Sequence, residues 1–172
     1  MGKQIVATES NLSKPEKIIK NHMYVSMGFG AIPLPMVDMA GITGTQLSMI
    51  SKLAAHYDVP FSNDLGKSVL TSLLGAVGSQ SLATGTLGSA IKLIPGVGSI
   101  LGAITYPAIA GATTYAVGNV FARHFSDGGT LADFKANDMK TYFKDELEKG
   151  KSVVKTVKKP FTKKSDSEAE EA

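Results

Sequence analysis

The side chains that could do chemistry in this chain are few, and their spacing argues against a reaction centre. Its three histidines, His22, His56 and His124, are scattered and show no metal-ligand spacing. His124 follows Arg123 and is expected to act as a helix C-terminal or membrane-surface cation. The absence of cysteine excludes a disulfide framework, a zinc–thiolate site and a cysteine nucleophile. The run Gly96-Val97-Gly98-Ser99-Ile100-Leu101-Gly102 is glycine-rich. It lacks the lysine and the preceding strand of a phosphate cradle, so it reads as a turn and a helix-packing surface. Asp38 is the one acid between Tyr24 and Ile50. Free amides of its own helix can satisfy it there; the alternative is a buried acid that meets a partner's cation or a proton. No catalytic, cofactor-binding or metal residue is assigned, and no enzyme is expected.

One charge pattern is more specific. Lys149, Lys151, Lys155, Lys158, Lys159, Lys163 and Lys164 fall within 16 residues that contain no acid. On an amphipathic helix such a cluster suits an anionic lipid surface, at about 1 kcal/mol per basic residue near it. The alternative is a solvated helix face. Nucleic acid is not an expected partner, because no aromatics interleave with the lysines and the net charge is only +3.

The elements that must carry these residues are dominated by Ser68–Ala122, a stretch whose single charge is Lys92. Both halves exceed the roughly 20 helical residues needed to cross a hydrocarbon core, and Pro95-Gly96 separates them. This predicts a Gly-rich apolar helical hairpin in a membrane. Basic flanks place both termini in the cytoplasm and Lys92 near the far side. The competing expectation is a protein-buried core, since hydroxyls such as Thr71, Ser72 and Ser79 interrupt the first half. Gly98, Gly102, Gly111 and Gly118 are the candidate helix-packing positions, where small residues let backbones approach.

Around the hairpin the pattern is helical throughout. Ser13 and Glu16 form a capping box that opens a helix over Lys14–Met27. Pro33 and Pro35 define a structural elbow with Asp38 close behind, and Pro95 and Gly96 define a second. An amphipathic helix is expected from Pro35 to Tyr57, with Met39, Ile42, Ile50, Leu53, Ala54 and Tyr57 on one face. Ser62 or Asn63 caps the first apolar helix, Asp64–Leu82. The second runs from Val97 to His124. A last helix, Leu131–Lys158, gathers Leu131, Phe134, Tyr142, Phe143, Leu147 and Val154 on one half of its wheel. The expected division is a flexible N-terminus over 1–12, a helical membrane domain over 13–126, an amphipathic basic helix over 127–160 and a charged disordered tail over 161–172.

The block Gly30-Ala31-Ile32-Pro33-Leu34-Pro35-Met36-Val37-Asp38-Met39-Ala40 resembles the opening signature of the YcjF-like domain, a bacterial family of unknown function. Gln46–Ala54, Tyr57–Phe61, Leu93–Gly98 and Ala110–Gly118 resemble further blocks of that family in the same order. Together they cover about residues 17–126. The family is regarded as helical and membrane-associated, and it is often fused to or encoded beside GTPases related to Era and the dynamins. The resemblance implies a cytoplasm-facing module of the bacterial inner membrane that serves a GTPase acting in trans, with no chemistry of its own.

The sequence therefore predicts an all-α, single-domain protein that contacts the lipid bilayer and self-associates as a non-enzymatic scaffold or membrane-organising module. An oligomeric pore is the first alternative, although Thr71, Ser72, Ser79, Gln80 and Thr86 do not align as one narrow polar stripe. A soluble self-assembling helical protein is the second.

Overall fold

Five α-helices and no strands make up the described part of the chain: α1 (Lys14–Gly30), α2 (Pro35–His56), α3 (Asn63–Ala83), α4 (Tyr106–Ser126) and α5 (Lys140–Thr156). The computed structural model describes residues 13–32, 35–83 and 106–157, without the side chains of 35–39 and 79–83. Pro33, Pro95, Gly96, Gly98, Gly102, Lys158 and Lys159 lie outside the described residues.

The first helix starts where its cap dictates. The Ser13 amide donates to Glu16 Oε2 at 2.7 Å and closes the capping box. The Ser13 hydroxyl first, and then this amide, hold the Glu16 carboxyl below its ordinary range. α1 continues through Gly28-Phe29 to Gly30, three residues beyond the expected end. The chain then reverses, so that α2 runs antiparallel to α1: Phe29 lies against Gly41, and Lys52 faces His22. The apolar face expected for α2 is the one it buries, with Ile50, Leu53 and Ala54 fully enclosed and Lys52 outward. Ser62 accepts from the Leu65 amide at 3.3 Å and caps α3.

α4 is the centre of the bundle. Its buried residues, from Ala110 to Phe125, occupy most of the helical circumference. A helix that is apolar nearly all round must be enclosed on nearly all sides, and α1, α2 and α5 enclose this one. The close approaches fix direction. Gly30 meets Pro107 and Ala110, and Ile19 meets Gly118, so α1 is antiparallel to α4; Gly150 meets Ala112, and Val154 meets Gly111, so α5 is antiparallel as well.

The described helices pack in the manner of the competing expectation, a protein-buried core. Residues 106–122 of the second charge-free segment lie in the core helix of a bundle, and α3 leans on α2 and α5 instead of lying along α4. Among the described residues no helix is long and apolar enough to cross a membrane. α3 buries Val69, Leu70 and Leu73 and leaves Ser68, Thr71, Ser72 and Gly75 exposed. After Asp64 and Lys67 in its first turns the helix carries no charge, and its exposed face is neutral and bears hydroxyls.

The last helix starts nine residues later than expected, at Lys140. The Asp133 carboxylate takes the Thr130 amide at 2.7 Å, and successive tight turns tie Asp138 to Lys135 and Met139 to Ala136. These local bonds offer the backbone an alternative to the helix ladder. Leu131 and Phe134 are apolar because they plug the core from a loop. Leu131 is buried, and Phe134 stacks on Phe121 with ring centroids 4.7 Å apart.

Candidate functional site

Polar side chains inside the bundle tie its helices to one another. Thr114 Oγ1 on α4 donates to Ser26 Oγ on α1 at 2.8 Å. Gln46 Nε2 on α2 donates to the same Thr114 oxygen at 3.2 Å. All three residues are buried, and among the described residues no buried side-chain polar atom is left without a partner. A satisfied buried chain of this kind fixes register, because sliding any one helix strands the groups on the other two. Sequence reading assigned no role to Ser26, Gln46 or Thr114. A lone hydroxyl in an apolar helix carries no sign of its partner, although Gln46 and Thr114 each fall within a block shared with the YcjF-like family.

A second cluster joins α1 to α2. His22 Nδ1 donates to the Ile18 carbonyl at 2.7 Å, and its Nε2 faces Lys52 Nζ at 3.5 Å. With Nδ1 carrying the proton, Nε2 accepts from the ammonium. Burial, and then the Lys52 charge, lower the His22 pKa, against the opposing Ile18 bond. The ring is therefore a neutral structural group. His124 is likewise drawn inward. Its Nε2 donates to the Thr130 carbonyl at 2.8 Å and to Asp133 Oδ1 at 3.2 Å. It stands in the last turn of α4, as one of the two expected placements had it, and pins the loop before α5. Among the described residues no group of His, Cys, Asp and Glu is arranged to hold a metal.

On α5, Glu146 is buried and binds Lys149 Nζ at 2.6 Å. Burial, and then the Glu146 carboxylate, push the Tyr115 and Tyr142 phenols up. Arg123 sits 4.5 Å above the Tyr142 ring. Of the expected membrane-surface lysines, Lys149 and Lys151 pair with acids one turn back, Lys151 with Glu148 at 2.5 Å. Lys155 is exposed, with no ion-pair partner among the described residues. The apolar face of α5, through Phe143 and Val154, is packed within the protein.

Of the expected packing glycines, a Cβ on Gly111 would stand 2.5 Å from Met27 Cγ, and one on Gly118 would stand 2.7 Å from Ile19 Cγ1. Both therefore lie where α1 crosses α4. Gly150, which the sequence did not single out, is as tight: its Cβ would lie 2.8 Å from the Ala112 carbonyl oxygen. Pro35 is the first residue of α2, and Asp38 follows within its first turn.

Among the described residues these features define an all-helical packing unit whose polar side chains serve to lock helices together. Residues 2–152 match the family described as Domain of unknown function (DUF697). The chain belongs to that family, the YcjF-like family whose signature blocks it carries. It is 41% identical over 143 residues to the protein named magnetosome membrane protein 22 of Magnetospirillum gryphiswaldense, across 83% of this chain and 73% of that one. No solved structure matches it.

Proposed function

We propose that this chain is a non-enzymatic, membrane-associated module of the bacterial inner membrane that organises the bilayer surface as a self-associating scaffold. A GTPase acting in trans is its proposed partner class, on the strength of the family resemblance. The observation that carries the reading is the relative named as a membrane protein, joined to the near absence of charge from residue 68 to 122. The enclosure of α4 within the bundle favours attachment through other parts of the chain over spanning by α4 itself. The proposed surface residues are Lys149, Lys151, Lys155, Lys158 and Lys159, and the proposed packing residues include Gly98 and Gly102.

Fractionation of cells that express the full chain tests the proposal. The protein is expected in the membrane pellet at low salt. Retention through an alkaline carbonate wash extends the reading to insertion of the uncharged stretch, and release at that step restricts it to the bilayer surface. Recovery of all the protein in the low-salt supernatant overturns the proposal and favours a soluble self-assembling bundle.

A further inference from the structure

We propose that one particular end of the bundle faces the bilayer, and that the lipid it selects is anionic; this rests on the membrane reading above and gives it an orientation. The end is built by the C-terminus of α1, the N-termini of α2 and α4 and the C-terminus of α5, which the contacts of Gly30 with Pro107, Phe29 with Gly41 and Val154 with Gly111 bring together.

Three independent observations coincide there. Among the described residues two of the exposed large hydrophobics stand at this end, Ile32 just after α1 and Tyr106 at the start of α4, exposed to 37% and 42%; Tyr24 and Val25 extend the apolar exposure back along α1, beside Ser26, which meets Thr114. Clustered apolar exposure of this kind marks an interaction surface, and tyrosine suits the interface between headgroups and acyl chains. Charge is also nearly absent: from residue 21 to 51 the single charged residue is Asp38, and from 93 to 122 there is none. Charged groups gather instead at the opposite end, with Asp58, Arg123, Asp127, Asp133, Lys135 and Asp138. Finally, α5 delivers its lysines to the apolar end. Lys151 and Lys155 flank Val154, which touches Gly111 near the start of α4. In the sequence α5 is followed by Lys158, Lys159, Lys163 and Lys164. An apolar surface with a basic rim complements the negative headgroups of a bilayer that contains acidic lipid.

The absence of native cysteine permits a direct test with the full chain. An environment-sensitive fluorophore is placed by Tyr106→Cys, by Ile32→Cys or, at the opposite end, by Lys135→Cys. Vesicles of phosphatidylcholine mixed with phosphatidylglycerol are expected to shift the first two probes to the blue and to leave the third in water. Lys151→Gln and Lys155→Gln are each expected to weaken vesicle binding roughly fivefold, the equivalent of about 1 kcal/mol. Four results overturn the inference. Shielding of Lys135→Cys with the other probes still wet reverses the orientation and leaves the membrane proposal standing. Equal binding to pure phosphatidylcholine removes the anionic preference. Shielding of the Tyr106 and Ile32 probes with protein concentration alone, and no change on adding vesicles, makes the end a seam between copies. Failure of every labelled chain to bind vesicles, together with recovery of the unlabelled chain in the soluble fraction, removes both proposals.

Discussion

His22 shows how a side chain with chemical potential can be made structural. Its ring is buried, Nδ1 donates to its own helix and Nε2 faces the Lys52 ammonium. Burial penalises the protonated ring, and the Lys52 ammonium opposes it further, which is why its pKa lies below the ordinary 6.5. As pH falls through that value, the unfolded chain takes up the proton before the folded one does. Stability is therefore fully present above it and declines as acid is added. Thermal unfolding followed across this range is expected to show a falling midpoint for the wild type and a shallower fall for His22→Gln, which lacks the titrating group. Parallel slopes in the two proteins would remove the assignment. His22 was visible in the sequence, but its neutrality was not. That depends first on burial between packed helices and then on Lys52, which only the reversal between α1 and α2 brings close. Ser26, Gln46 and Thr114 were hidden for the same reason: their meaning lies in partners on other helices.

At the scale of the helix, local rules were legible and long-range ones less so. The Ser13–Glu16 box, the Ser62 cap and the period of α2 could be read from adjacent residues. The start of α5 could not, since Leu131 and Phe134 fit a helical wheel as well as they fit a plug, and the carboxylate of Asp133 turns the backbone aside. Charge-free helices were ambiguous too, because an enclosed core helix and a lipid-facing one have the same composition. The glycines separate the helices' contact lines from their open faces. Gly150 packs against the backbone of Ala112, which cannot rotate away, so Gly150→Ala is expected to cost about 1–3 kcal/mol. Gly44 in the interior of α2 has nothing within 4 Å of an added Cβ. Gly44→Ala there is expected to gain roughly 0.5–1 kcal/mol by restricting the unfolded chain. Urea midpoints of the two variants should move in opposite directions. A shift of the same sign in both would contradict the packing described for α4 and α5.

Over the whole molecule, the all-helical class and the family were legible in the sequence, whereas the order of packing around α4 was not. α5 is part of the core, through Phe143, Gly150 and Val154, and the family match continues to residue 152. Truncation before Lys140 is therefore expected to abolish cooperative unfolding, where a detachable surface helix would leave the transition of residues 13–126 intact; calorimetry distinguishes the two. The central place of α4 also has a consequence for biosynthesis. Ser26 leaves the ribosome well before the hydroxyl to which it bonds, 88 positions on, and the faces of α4 that α5 covers stay open until α5 has emerged. Pairings so distant in sequence form slowly, because the intervening loop must close first. The nascent chain thus spends much of its synthesis with apolar helix faces awaiting a mate, and whatever surface lies beside the ribosome exit is the first shelter on offer.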